Sequence, residues 1–162
     1  MSPVDWLPEL VTFNQYGGDW NEYLDALHGF FRADFVTDRF LFEGKRVGLK
    51  KHPIEHGKEA TFWHMIQSGD TEAERTPDLR RCERILWPKA IIINANDPGV
   101  LIWKNKRGSK KRICLMLEQE RYLVILADRG EYVLPWTAYP VDRDRQFQKS
   151  LREYREYIAR QQ

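Results

Sequence analysis

The stretch that decides the fold is residues 100–140, VLIWKNKRGSKKRICLMLEQERYLVILADRGEYVLPWTAYP. Apolar residues alternate with polar ones along it, and polar, Gly-containing turns interrupt it, which is typical of β-strands joined by tight turns. Parallel strands need a longer crossover than these turns provide, so neighbouring strands are expected to run antiparallel. The pattern predicts strands at Val100–Lys104, Arg112–Glu118, Tyr122–Ala127 and Glu131–Thr137.

The chain on the N-terminal side of this stretch is predicted to be mainly helical. Asp19 and Glu22 have the spacing of a capping box, and apolar residues at helical intervals follow them. The positions of Gly and Pro then delimit the remaining elements. They are helices over residues 20–35, 58–68 and 77–87, two short strands at 39–43 and 46–51, and another strand at 89–94.

A last helix is predicted from residue 142 onward, where apolar residues recur at helical spacing: Phe147, Leu151, Tyr154 and Ile158. The fold class is therefore α+β, with N-terminal helices, an antiparallel sheet of about four to five strands and a C-terminal helix. A chain of 162 residues has a normal size for one domain. We expect a single domain over residues 1–162 that opens with an irregular segment, residues 1–18.

Composition excludes several classes of protein. The 26 Lys and Arg against 24 Asp and Glu give a net charge of +2, which is not the balance of a polybasic tail or an acidic disordered chain. Two cysteines cannot build a disulfide framework, and no apolar run approaches the ~18 residues of a membrane span. The first residues, MSPVDWLPELVTF, lack the basic start of a signal peptide. We therefore expect a cytoplasmic protein without a membrane partner.

His64 is the first candidate functional residue. In the predicted helix 58–68, Phe62, Met65 and Ile66 form the buried stripe, and His64 lies nearly opposite to them at 100° per residue. It is therefore not predicted to be a core histidine. Two interpretations stand: an exposed histidine without a function, and an imidazole that transfers protons.

The predicted helix 77–87 carries arginines on the face opposite to its apolar stripe. That stripe, which we expect to be buried, consists of Leu79, Cys82, Ile85 and Leu86. Arg80 and Arg84 lie at i and i+4 with Arg81 beside them, and like charges at this spacing repel by a few tenths of a kcal/mol. An anionic partner would relieve the repulsion. The alternative is a solvated face that neighbouring acids partly neutralise.

The most asymmetric charge lies in residues 104–112, which we call the basic hairpin. It contains six cations and no acid: Lys104, Lys106, Arg107, Lys110, Lys111 and Arg112. Trp103 precedes it and is expected to be an exposed aromatic beside these charges, an arrangement that suits phosphates and an unstacked base. The alternative is a charged hairpin tip that keeps an edge strand soluble.

The end of the last predicted strand supplies hydroxyl groups. Strict alternation separates Trp136 from Thr137 and Tyr139. Trp136 is assigned to an apolar face that packs on helices, and the two hydroxyl-bearing residues are assigned to a mixed face. That mixed face either binds a polar ligand or is the solvent side of an antiparallel sheet.

Histidines in the segment HPIEHG, residues 52–57, raise the question of a metal site. His52 and His56 are a candidate pair that Glu55 or His64 would complete. The Pro and Gly of the segment argue against a helix that presents both imidazoles on one face. We therefore predict no metal and no other cofactor.

Four segments together carry a resemblance to a known group of enzymes. LKKHPIEHGKEATFWH, PDLRRCERI, WPKAIII and YVLPWTAY, in that order, resemble the barnase–EndoU–colicin–RelE group of RNases, and more narrowly its prophage-associated nuclease-like families. The resemblance covers a nuclease-like core of residues 46–140. It implies a metal-independent endoribonuclease domain of the toxin or prophage-effector type, with RNA as the expected partner and a protein inhibitor as a second one.

A metal-independent RNase needs a base for the 2′-hydroxyl, an acid for the leaving 5′-oxygen and cations for the phosphorane. The resemblance and the residue types together give these catalytic candidates: His64, His52, His56, Arg81, Arg84, Thr137 and Tyr139. The candidates for substrate binding are Arg80, Trp103, Lys104, Lys106, Arg107, Lys110, Lys111 and Arg112. Catalysis requires His64, an arginine of helix 77–87 and a late-strand hydroxyl to converge in one cleft. The alternative, a non-catalytic module that binds nucleic acid or protein, needs only a continuous surface.

Overall fold

The computed structural model of the chain describes residues 4–162. Its α-helices are α1 Trp20–Arg32, α2 Ala60–Ile66, α3 Leu79–Glu83, α4 Trp87–Ile93 and α5 Asp144–Gln161. Its strands are β1 Leu41–Phe42, β2 Lys45–Val47, β3 Gln67–Ser68, β4 Thr76–Pro77, β5 Val100–Arg107, β6 Lys110–Leu117, β7 Tyr122–Asp128 and β8 Tyr132–Pro140. Short 3₁₀ or π-helical turns lie at Phe13–Tyr16, Ala33–Thr37, Glu72–Glu74 and Glu118–Glu120.

The fold is α+β, as predicted. Within residues 4–162, six strands form one sheet in the order β1-β2-β8-β7-β6-β5, and β5 to β8 are the predicted antiparallel meander. However, β2 runs parallel to β8, so the sheet is mixed and has more strands than the four to five expected. The helical region and most of the meander separate β2 from β8 along the chain. No local pattern encodes a pairing between such distant segments.

The segment WPKAIII, residues 87–93, is helix α4 and not the strand predicted at 89–94. Its β-branched residues favour a strand when they are considered alone. Pro88, however, lies in the first helical turn, where its missing N–H leaves no hydrogen bond unmade. Trp87 also fixes the start of the helix, because its Nε1 donates to the carbonyl oxygen of Pro8 at 2.9 Å. Tertiary contacts therefore override the local preference.

Helix α3 is shorter than predicted. Asp78 begins it by accepting hydrogen bonds from the backbone N–H groups of Arg80 at 3.0 Å and Arg81 at 3.4 Å. Among the residues of α3, Leu79–Glu83, only Cys82 is buried. Leu79, which was expected in the apolar stripe, is instead 46% exposed.

Both faces of the sheet are covered. The larger core lies between one face and helices α1, α2 and α4, and includes Phe31, Phe62, Ile91, Leu115, Val124 and Val133. A second core joins the other face to α5, and includes Trp103, Cys114, Met116, Leu123, Ile125, Phe147 and Leu151. The face that was predicted to be mixed and open is therefore largely closed by the C-terminal helix.

A β-bulge in β8 shapes the remaining open part of the sheet. Ile125 of β7 pairs with Thr137, whereas the next residue, Leu126, pairs with Pro135. Trp136 is thus the extra residue of the bulge, and the strict alternation along β8 fails there. As a consequence Trp136 packs beside the second core, on the same side as Tyr139, and not on the apolar face to which alternation assigned it.

An ion network around the buried Glu59 positions helix α2, which carries His64. Glu59, only 7% exposed, precedes the helix. Its two carboxylate oxygens contact His28 Nε2 at 2.5 Å and Arg32 Nη1 at 2.8 Å. Burial alone would raise the pKa of Glu59, but the hydrogen bond to His28, a backbone hydrogen bond and the charges of His28 and Arg32 together outweigh it, and the pKa is lowered. The carboxylate therefore stays charged and ties α2 to α1.

Candidate functional site

An open cleft of about 630 Å³ lies where α2 and α3 meet the end of β8 and the start of α5. Five arginines and three aspartates line it: Arg75, Arg80, Arg81, Arg107 and Arg143 against Asp70, Asp78 and Asp142. Four further residues of the lining are His64, Trp136, Thr137 and Tyr139. The excess of guanidinium groups makes the cleft attractive to anions such as phosphate.

Arg81 is the cation that the fold holds most firmly in the cleft. Its Nη1 donates to the carbonyl oxygen of Gln67 at 2.6 Å and to Thr137 Oγ1 at 3.1 Å. Its guanidinium also lies 5.0 Å from the ring centroid of Tyr139. Burial lowers the pKa of Arg81, and Asp78 opposes this effect, but a guanidinium keeps its charge at any physiological pH.

Arg75 is a second cleft cation, which no pattern in the sequence predicts. The β3–β4 pair brings it beside Arg81, and its Nη2 donates to the carbonyl oxygens of Gln67 at 2.8 Å and His64 at 3.5 Å. The Nε atoms of Arg75 and Arg81 are buried and have no hydrogen-bond partner among the described residues. Arg75 follows an acidic loop as a single cation, without a periodic pattern that would distinguish it.

His64 is the least buried residue of α2, as its position opposite to the apolar stripe predicts. Its ring centroid lies 5.3 Å from that of Trp136. It also borders a second hollow of about 410 Å³, which Lys50 and Trp63 help to form. The imidazole therefore lies at the rim of the cleft, within reach of solvent.

The late-strand hydroxyls differ in what they can do. Thr137 Oγ1 accepts the hydrogen bond from Arg81 and donates to the carbonyl oxygen of His64 at 3.5 Å. That hydroxyl therefore links β8 to α2 and α3. Tyr139 lines the cleft, and burial raises the pKa of its phenol even though Arg81 and Arg112 act in the opposite direction. The phenol consequently keeps its proton at neutral pH.

Arg80 in α3 and Arg84, directly after the helix, lie in different surroundings. Arg80 lines the cleft and forms an exposed ion pair with Asp142 at the opposite rim. Arg84 lies outside the cleft lining: its Nη1 donates to the carbonyl oxygen of Arg80 at 3.0 Å, and its guanidinium covers the ring of Trp87 at 5.0 Å. The predicted arginine face is thus divided: Arg80 and Arg81 line the cleft, whereas Arg84 packs on Trp87 outside it.

His52 and His56 are exposed and lie outside the cleft lining. The ring of His56 lies 6.2 Å from that of Trp63. No group of three His, Cys, Asp or Glu side chains within residues 4–162 comes together as a set of metal ligands. The HPIEHG segment therefore does not assemble the pair with Glu55 or His64 that its spacing suggested.

The basic hairpin is an exposed cationic surface at the edge of the sheet. Two hollows of about 300 and 390 Å³ lie along it, and Lys104, Lys106, Arg112 and Arg160 line both of them. Arg107, at the end of β5, also lines the cleft. The hairpin therefore continues the positive surface of the cleft.

Trp103 is not the exposed aromatic that was expected. It is 2% exposed, and its Nε1 donates to Glu153 Oε1 of α5 at 3.1 Å. The reason is that its face of β5 is the one that α5 covers. A tryptophan near these cations that does reach solvent is Trp136, which is partly buried and has Lys50 Nζ at 5.9 Å and Lys110 Nζ at 5.8 Å from its ring centroid.

The chain matches no family model, and comparisons with curated proteins and with solved structures find no similar protein. None of the helices in the described part of the chain is long and apolar enough to cross a membrane. The chemistry of the cleft therefore follows from its own side chains. They offer an imidazole, a protonated phenol and several fixed guanidinium groups around one open volume.

Proposed function

We propose that the chain is a metal-independent endoribonuclease of the toxin or prophage-effector type. The observation that carries this proposal is the convergence of His64, Arg81 and Tyr139 in one cleft. A protein that only binds nucleic acid does not need a proton-transfer group, a fixed cation and a protonated phenol at the same place. A metal-independent ribonuclease needs a base, an acid and a cation, and these three side chains can supply them.

The reaction proposed is transesterification at a phosphodiester. The imidazole of His64 takes the proton from the 2′-hydroxyl, and the 2′-oxygen attacks phosphorus. The bond from phosphorus to the 5′-oxygen breaks, and the leaving 5′-oxygen takes a proton from the phenol of Tyr139. The products are a 2′,3′-cyclic phosphate and a 5′-hydroxyl. The phenol is protonated at neutral pH, as an acid must be in order to donate, and the guanidinium of Arg81, 5.0 Å from the ring centroid, favours the phenolate that donation leaves.

Arg81 and Arg75 supply the electrostatic part of the mechanism. Backbone carbonyl oxygens hold both guanidinium groups in place, so they need no reorganisation when negative charge develops on the phosphorane. The Nε atoms of both groups are buried, and the Nε of Arg81 lies 3.9 Å from Asp78 Oδ2, so the Nη groups are the ones that would donate to a phosphate oxygen. Arg80 and Arg107 would hold the neighbouring phosphates. His52, His56 and Arg84 have no part in this scheme.

The alternative function is a non-catalytic nucleic-acid-binding module. The specific observation in its favour is that the hydroxyl of Thr137 is already bonded to Arg81 and to the carbonyl oxygen of His64. Such bonds stabilise a scaffold and leave Thr137 with little capacity to position a substrate. The continuous cationic surface from the cleft to the hairpin would serve this function equally well.

The test is cleavage of single-stranded RNA by the purified chain in excess EDTA. We expect cleavage that EDTA does not reduce, fragments with 2′,3′-cyclic phosphate ends, and no cleavage when the 2′-hydroxyls of the substrate are methylated. Cleavage that requires added metal would contradict the metal-independent mechanism. Binding without cleavage, for RNAs of varied sequence and structure, would favour the binding module.

A reducing, cytoplasmic site of action belongs to the same proposal. Cys82 and Cys114 are both buried free thiols. Burial raises the pKa of each to about 12, which keeps them protonated and unreactive. RNA is also the abundant polyanion of that compartment. A protein inhibitor that covers the cleft would be the natural control on such an activity.

A further inference from the structure

Trp136 combines features that the proposed chemistry does not use. It is the extra residue of the β8 bulge, and its side chain is only partly buried. Bulges often redirect a side chain near a functional site. Here the bulge takes a large aromatic out of the alternation and places it at the cleft, where two lysines and the ring of His64 surround it.

Trp136 also connects two cationic regions. It lines the cleft, and it lines a smaller hollow at the basic hairpin together with Lys110, Lys111, Arg112 and Arg129. Positive charge therefore lies on both sides of the ring. This spacing of cation, aromatic and cation matches a nucleic-acid strand, in which phosphates flank each base.

The lysines beside Trp136 do not prevent a base from reaching the ring. A cation–π contact of an exposed lysine is weaker than the stacking of a base on tryptophan. Lys50 is exposed and Lys110 lies at the hairpin tip, so both side chains are free to swing toward phosphates when a base arrives. The ring and its two cations would then bind one nucleotide together.

We propose that Trp136 is a stacking platform for an unpaired base beside the scissile phosphate, and that the substrate class is single-stranded RNA. The position of that phosphate rests on the proposed function. A base inside a duplex is already stacked on both sides, so Trp136 reaches only a base that is unpaired or splayed out. The strand leaves the cleft across Trp136 and continues along the basic hairpin.

The experiment measures binding by fluorescence anisotropy, with a short fluorescein-labelled 2′-O-methyl RNA that the proposed reaction cannot cleave. We expect Trp136→Leu to raise the Kd for the single strand about 5- to 150-fold, without changing the salt dependence. The matched control is Tyr132→Leu, which removes an aromatic 4.9 Å from Arg46 on the same strand but away from the cleft. This control should leave the Kd unchanged, and a duplex of the same sequence should bind more weakly to the parent protein.

A second measurement on the unaltered protein covers the case in which Trp136→Leu fails to fold. A probe of the same length whose bases are removed should bind the parent protein at least 5- to 150-fold more weakly than the intact 2′-O-methyl strand does, because it offers no base to the ring. The platform is overturned if the folded Trp136→Leu variant binds the single strand as tightly as the parent does. It is also overturned if the parent binds the baseless strand as tightly as the intact one, or binds the duplex as tightly as the single strand.

These outcomes are separate from the fate of the proposed function. A chain that binds single strands through Trp136 but cleaves none of them retains the platform and loses the nuclease. A chain that cleaves RNA regardless of Trp136 retains the nuclease and loses the platform.

Discussion

Two tryptophans of the sheet, each close to a cluster of cations, have opposite roles. Trp103 lies at the base of the basic hairpin, is buried under α5 and donates a hydrogen bond to Glu153. Trp136 lies at the cleft, partly buried and flanked by Lys50 and Lys110. The sequence predicts the reverse, an exposed Trp103 beside the cations and a Trp136 that packs on helices. The covering helix in one case and the bulge in the other account for the difference.

The cations of the two regions differ in the opposite sense: those of the cleft are fixed and those of the hairpin are exposed. In the cleft, backbone carbonyl oxygens fix the guanidinium groups of Arg81 and Arg75. In the basic hairpin, Lys106, Lys110 and Lys111 are exposed. Fixed cations suit the stabilisation of a transition state, whereas exposed ones attract and steer a polyanion. The comparison thus assigns chemistry to the cleft and long-range attraction to the hairpin.

The largest expected effect is on stability and separates the two tryptophans. Trp103→Ala should lower the free energy of unfolding by about 3–5 kcal/mol, because it leaves a cavity between the sheet and α5. Trp136→Ala should cost clearly less, since part of that ring already contacts solvent. Urea unfolding followed by circular dichroism measures both. Equal losses would mean that α5 does not cover Trp103 as described.

The next effect separates two arginines that are three residues apart. Arg81→Gln removes a fixed cation from the cleft and should slow single-turnover RNA cleavage about 10²- to 10³-fold. Arg84→Gln removes a cation that lies on Trp87 outside the cleft, and its rate per folded molecule should stay near the parental value. A comparable loss in both variants would indicate that α3 acts through the general charge of its face.

A smaller effect is expected at the basic hairpin. Changing Lys106, Arg107, Lys110 and Lys111 together to Ser should weaken RNA binding and reduce the slope of log Kd against log salt by roughly 0.7 for each lost phosphate contact. Unfolding free energy should barely change, because these residues are exposed.

The control for the hairpin variant removes charge from the opposite edge of the sheet. Arg39 and Arg46, both exposed near β1 and β2, are changed to Ser and should leave the slope unaltered. A hairpin variant with the parental slope would remove the hairpin from the RNA-binding surface.

The sequence predicts well those elements whose signals are local. The meander β5–β8 follows from alternation and turn residues, and the exposure of His64 follows from helical geometry. The parallel pairing of β2 with β8 could not be predicted in this way, because it joins segments far apart along the chain. The strand predicted within the segment WPKAIII was wrong for a related reason. Its β-branched residues favour a strand locally, whereas contacts of Trp87 favour a helix.

The β-bulge at Trp136 was not predicted, although the sequence contains a residue that indicates it. Pro135 lies within β8, which is paired on both sides, and proline is tolerated in a sheet mainly at edges and bulges. That rule predicts an irregularity beside Trp136 and so questions the strict alternation there. Arg75 had no comparable signal, because only the β3–β4 pairing brings it to the cleft.

The central claim is that the cleft containing His64 cleaves RNA, and one paired measurement tests it most directly. His64→Gln and His52→Gln each remove one imidazole, the first from the cleft and the second from an exposed position outside its lining. Single-turnover cleavage in EDTA should fall about 10²- to 10⁴-fold in the first variant and stay near the parental rate in the second, with both folded by circular dichroism. If His64→Gln cleaves as fast as the parent, the cleft is not the catalytic site.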